Sequence, residues 1–256
     1  MTQRFVDISV PLRAGIKSDP PGLEPKIQYL GHKDGLEDLE NLMGFSNDNL
    51  PDGEAWAVEN VQISTHNGTH LDAPWHYHST MDGGKPSATI DEIPLDWCFR
   101  PGVKLDFREK PDGYICTPAD VEQELLRINH EVQPFDIVLI NTSAGTRYGE
   151  DDYVDRGCGM GRDATLYLLK RGVRLTGTDG WSWDAPFKFT RERIAATGDY
   201  SLFWEGHKAG REFGYCHLEK LHNLECLPAT GFTVCCFPVK VERASAGWTR
   251  AVAILE

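Results

Sequence analysis

A chain of 256 residues can bury a sizeable core in one large domain or two small ones. Hydrophobic residues make up 40% and charged residues 25%, as in ordinary soluble globular proteins, and the formal charge of -13 leaves no basic footprint for nucleic acid or an anionic membrane surface. No apolar run approaches a membrane span and the start, MTQRFVDISVPL, lacks the basic and apolar regions of a signal peptide, so a soluble, cytoplasmic protein is expected.

Residues 4–12 alternate well enough to predict a first strand, ended by Pro11 and Gly15. Residues 18–53 are rich in Pro, Gly, Asp and Asn without a sustained period. They read as a long loop, functional or disordered, in which Met43, Phe45 and Leu50 make a lid over the His residues that follow or simply a local anchor. Residues 55–64 read as a strand, since Trp56, Val58, Val61 and Ile63 are apolar among polar neighbours.

That strand leads into H-N-G-T-H-L-D-A-P-W-H at 66–76, the stretch around which the chain is organised. His66, His70, Asp72 and His76 all occupy even-numbered positions, and on an extended chain residues of one parity point the same way. Gly68 and Pro74 weaken the case for a helix. Three imidazoles and a carboxylate converging on one point suit Zn²⁺, Mn²⁺ or Fe²⁺. A single His is more often a surface or core residue, but this spacing is harder to dismiss. His78 shares the parity, yet lies beyond Pro74 as a rim residue.

Further on, 102–107 is a short strand and Thr117-Pro118-Ala119-Asp120 opens a helix, with Thr117 as N-cap and Val121, Leu125 and Ile128 at helical spacing. The apolar run in 136–141 is a buried strand, 162–170 a second helix stopped by Gly172, and 173–178 another strand. Residues 232–238 and 251–255 add two more. This alternation predicts a βαβ-type core in one α/β domain spanning 1–256. The seven cysteines include no C-x-x-C pair, which argues against a zinc ribbon, a redox motif or a disulfide framework; Cys235 and Cys236 read as buried small hydrophobes.

One short segment makes a strained metal shell, so more ligands are expected elsewhere. His207, in W-E-G-H-K, and Glu219, in the otherwise apolar Y-C-H-L-E-K-L, are candidates, but periodicity alone does not prefer them over His217 or His222. The motif at 66–76 resembles the H-x-G-T-H-x-D-x-P-x-H pattern of the metal-dependent cyclase-like hydrolases, which include bacterial kynurenine formamidases, isatin hydrolases and a dienelactone hydrolase. D-I-S-V-P-L resembles that family's opening strand and L-T-G-T-D-G-W-S-W-D its G-T-D-x-x-S-x-D segment, while His207 and Glu219 match its distal ligand pair. The resemblance implies a mixed β-sheet core with flanking helices, of the swivelling β/β/α kind. It also implies a metal held by His66, His70 and Asp72, and a second position completed by His76, His207 and Glu219, or His76 as a catalytic residue beside a single ion. Homodimers or homotetramers are implied as well. The long 18–53 insertion and the crowding by Gly180, Trp181 and Trp183 depart from the formamidase pattern.

The chemistry that follows is hydrolysis of an amide, cyclic amide or lactone in a small, ring-containing substrate, with one or two Zn or Mn ions activating water. His76 or His207, if not committed to metal, would carry the proton to the leaving atom. Trp75, Trp181, Trp183 and Phe187 suggest a flat aromatic substrate, although such residues are equally often core. Two other readings fit part of the pattern. One is a non-haem iron oxygenase using His70, Asp72 and His207, which leaves His66, His76 and Glu219 idle. The other is a non-catalytic metal-binding protein, although a structural site usually closes at four ligands.

Overall fold

Four strands set the centre of the molecule: Phe99–Asp106, buried from Gly102 to Leu105, and Ile137–Asn141, Leu175–Thr178 and Cys216–Glu219, buried throughout. The computed structural model, which describes residues 3–44, 49–50 and 52–255, places them side by side and parallel. Parallel neighbours need crossover connections. Pro118–Arg127 and Arg162–Leu169 supply the first two, and Phe187–Thr197 with the one-turn Glu205–Lys208 lies in the third. The expected βαβ core is therefore present.

Antiparallel strands extend both edges to nine. Phe232–Cys235, Val252–Leu255 and Arg4–Asp7 follow one another beyond Phe99–Asp106, and His70–Asp72 and Ala246–Trp248 lie beyond Cys216–Glu219. Strand alternation divides the core between the two faces. Val138 and Ile140 pack with Val121, Leu125 and Leu168 of the helices, whereas Ile137 and Leu139 pack with Leu71, Leu218 and Leu221. The fold is a single-domain α/β architecture with a mixed sheet and flanking helices, as expected.

Local signals hold where they are strongest. Thr117 accepts from the Asp120 N–H, and Asp120 returns a bond to the Thr117 N–H at 2.8 Å, so this helix begins with a capping box. The region 18–64 differs from its reading. It holds a strand, Lys26–Leu30, and a helix, Gly35–Met43, that ends at Gly44 in the left-handed region (φ 74°). The strand expected at 55–64 is Val58–Gln62, which pairs with Lys26–Leu30 in a separate two-stranded ribbon. All five of its residues are exposed, so the apolar alternation there does not face the main core. Met43 is also exposed, and Phe45 lies outside the described residues.

Candidate metal centre

The edge pairing beyond the parallel strands builds the site. His70–Asp72 runs antiparallel to Cys216–Glu219 with Glu219 opposite His70 and His217 opposite Asp72. Residues two apart share a face, and directly opposite residues meet across the pair, so these four side chains fall on one face of the sheet. The same tripeptide pattern, His-Leu-acid, is thus laid down twice on neighbouring strands.

Of the four candidate ligands in the 66–76 run, only His70 and Asp72 sit on that strand. His66 lies on the preceding turn, where Gly68 (φ 62°) reverses the chain, and His76 lies on the one-turn helix Pro74–Tyr77. Pro74 does not end an extended run. It opens a helical turn at its first position, where the missing N–H costs nothing. His66 and His76 still converge. His66 Nδ1 is 2.9 Å from Asp72 Oδ1, His70 Nε2 is 3.3 Å from the same oxygen, and His76 Nε2 is 3.8 Å from Asp72 Oδ2. The rings of His66 and His76 are 4.1 Å apart. His76 stands beside His66, and its ring also lies 5.9 Å from that of His207.

His207 arrives from Glu205–Lys208. Its Nδ1 is 2.5 Å from Asp184 Oδ2, and Asp184 also accepts from the Gly206 and His207 backbone N–H groups. With its Nδ1 so engaged, His207 turns Nε2 toward Glu219 Oε1, 3.6 Å away. Glu219 Oε1 accepts the Trp183 N–H at 2.9 Å, and Oε2 lies 3.6 Å from His70 Nε2. In the G-T-D-G-W-S-W-D segment the two acids thus divide the work. Asp184 orients His207, while Asp179 is buried and accepts from Asn141 and from the backbone and hydroxyl of Thr142.

His217, to which sequence reasoning gave no role, is fully buried within this cluster. Its Nε2 lies 3.1 Å from Asp72 Oδ2 and 3.3 Å from Glu219 Oε1. The signal that could have found it is its parity with Glu219 in C-H-L-E.

The electrostatics fit a cation. Burial alone would raise the Asp72 carboxyl, but His76, His70 and His66 hold it well below the usual range. Burial works the same way on Glu219, yet His217 and His207 bring it to about 2. Burial disfavours the charged form of His76 and lowers it to about 4, against the pull of Asp72. Both oxygens of Asp72 and the Nε2 atoms of His70 and His217 are buried with no hydrogen bond. Buried polar atoms are ordinarily paired. A group of imidazole nitrogens and carboxylate oxygens left unpaired around one point fits a divalent metal, whose bonds would satisfy them all. Among the described residues, two sets of ligand atoms lie close enough together, one from Asp72, His207, His217 and Glu219, the other from His66, Asp72 and His76.

A cavity of about 220 Å³ opens beside the cluster. His66, His76, His207 and Glu219 line it together with Trp181, Phe187 and Trp204. Trp204 stacks on the His207 ring at 4.7 Å and was not foreseen, whereas Trp75 is 47% exposed and Trp183 is buried in the core, both away from the cavity. Asp19 and Leu23 complete one wall, so the start of the 18–53 stretch covers the cavity. Asp19 is held there by the Lys220 ammonium, Asn67 Nδ2 at 2.9 Å and Trp181 Nε1 at 3.2 Å.

Residues 6–185 match the family model described as putative cyclase. The isatin hydrolase of Roseibium aggregatum is 24% identical over 213 residues, covering 80% of this chain and 77% of that protein. The kynurenine formamidase of Salinibacter ruber is 27% identical over 192 residues, covering 75% and 77%. Among solved structures, an isatin hydrolase bound to the product analogue thioisatinate superposes with a TM-score of 0.76 at 20% identity, covering 99% of this chain and 92% of that one.

Proposed function

Because this chain belongs to the putative cyclase family, we propose that it is a metal-dependent hydrolase cleaving the carbonyl–nitrogen or carbonyl–oxygen bond of an amide, cyclic amide or lactone. One observation carries this reading: buried, unpaired ligand atoms of His70, Asp72 and His217 lie against His66 and Glu219, which line a cavity walled by aromatic rings. His66, His70, His76, His207 and Glu219 are the residues that would hold one or two Zn or Mn ions, with Asp72 reaching both sides through its two oxygens.

Such an ion, when bound, supplies an acidified water and a positive charge for the carbonyl oxygen. The remaining work falls to the chain. Trp181, Phe187 and Trp204 offer flat faces for a ring, which supports an aryl substrate such as those that the names of kynurenine formamidase and isatin hydrolase imply. His76, open to the cavity, can accept a proton and deliver it to the leaving atom where it is not committed to an ion. Asp184 fixes His207, and the Asp19 wall excludes water from one side.

The same reading places the protein in the cytoplasm; no described helix is long and apolar enough to cross a membrane. It also includes assembly into a homodimer or homotetramer, supported by Tyr29, Val58 and Val61, which stand exposed on the ribbon. The test is turnover of N-formyl arylamines, cyclic aryl amides and aryl lactones by Zn²⁺- or Mn²⁺-loaded protein without oxygen. Hydrolysis of at least one class is expected. Product that forms only with Fe²⁺ and O₂ would establish the oxygenase reading instead.

A further inference from the structure

We propose that His217 is a metal ligand, the fourth protein donor of a closed position formed with Asp72, His207 and Glu219; the proposal rests on the metal-dependent reading above. The His217 ring is clamped. Tyr77 stacks on it at 5.4 Å and 14°, Trp183 at 5.9 Å and 15°, and His207 meets it edge-on at 4.4 Å. A ring so held presents one fixed direction from Nε2, and that nitrogen has no hydrogen bond although Asp72 Oδ2 and Glu219 Oε1 are 3.1 and 3.3 Å away.

The separations match coordination. Ligands at about 2.0–2.1 Å from a tetrahedral ion stand roughly 3.3 Å from one another. Here the distances are 3.1 Å from His217 to Asp72, 3.3 Å from His217 to Glu219 and 3.6 Å from His207 to Glu219. Four protein donors close a tetrahedral site, whereas catalytic sites keep a position open. Of the four donors, His207 and Glu219 reach the cavity wall and His217 and Asp72 lie behind it, whereas His66 and His76 both line the cavity. The closed position accordingly holds a tight, non-reacting ion, and the exchangeable one sits on the His66 and His76 side.

The test compares the whole wild-type chain with His217→Gln and, as control, His222→Gln. Zinc is removed stepwise with a competing chelator and the remaining zinc counted by elemental analysis. Wild type and the control should retain one ion long after the first has left. His217→Gln should lose that tight ion, with affinity reduced at least ~10–100-fold. Cobalt in the tight position should give the strong visible absorption of a tetrahedral centre, and the variant should lose it. Glutamine keeps an N–H donor, so a His217 that only hydrogen-bonds would be replaced without loss; wild-type affinity and cobalt spectrum in His217→Gln overturn the proposal. Zinc-edge X-ray absorption should count one imidazole per zinc fewer in His217→Gln than in wild type with one ion loaded, and an unchanged count overturns the proposal. Wild type that binds no ion under any condition would instead overturn the hydrolase reading beneath it.

Discussion

Asp184 and Asp19 each hold a side chain in place by removing its alternatives. Asp184 takes three donors at once, two from backbone N–H groups and one from the His207 ring, which leaves His207 one orientation. Loss of such an orienting partner typically costs 10–100-fold in metal affinity or activity. Asp184→Asn should therefore weaken zinc binding by about that factor, with the chain still folded by circular dichroism; unchanged affinity in a chelator competition would rule out the orienting role. Asp19 pairs with Lys220, whose ammonium is buried and also donates to the His66 carbonyl at 2.9 Å. Breaking a buried pair leaves an unmatched charge and costs about 3–5 kcal/mol. Asp19→Ala should fall in that range in a denaturant melt, and Lys220→Met added to it should recover part of the loss, because the stranded ammonium is gone.

At the scale of elements, what could be read in advance depended on how local each cause is. The helix Pro118–Arg127 was legible because its cap, its proline and its apolar spacing lie within a dozen residues. The His motif was legible for the same reason. His217 was not, since its place beside Asp72 exists only through a pairing of strands 145 positions apart in sequence. The ribbon was missed because Lys26–Leu30 finds its partner across a helix, and neither strand has a buried face to impose a clean pattern. The capping box also yields a pH prediction. Burial opposes the charge of Asp120, but Lys110, the Thr117 N–H and hydroxyl, and Tyr114 bring its carboxyl to about 2. An acid lowered on folding stabilises above its unfolded value, near 3.8, and that contribution disappears as pH falls through the folded one. Asp120→Asn should cost about 1–2 kcal/mol at pH 7. The gap to wild type should close as pH drops from 4 toward 2; a gap independent of pH would place the cost in shape alone.

Across the whole molecule, the site is where distant parts of the chain are joined. His66 to His76 come from the first third and His207 to Glu219 from the last, and Ser245, near the tail, stands 3.0 Å from the far nitrogen of His66. Strand His70–Asp72 is only three residues long and is held between two antiparallel neighbours, so its own ladder contributes little. Two buried carboxylates and five imidazoles meet there. An ion that binds this folded arrangement and not the unfolded chain stabilises it by mass action, about 4.1 kcal/mol when free metal is 1,000 times the dissociation constant. For a chain of this size each kcal/mol moves the melting temperature by about 2–4 °C, so saturating Zn²⁺ or Mn²⁺ should raise it by roughly 8–16 °C over chelator-treated protein. Calorimetry in the two conditions reads this directly. His70→Ala, which removes a buried donor from the centre, should lose most of the rise. A melting temperature that ignores metal in the wild type would mean that these residues do not form a binding centre, and that their burial without partners needs another cause.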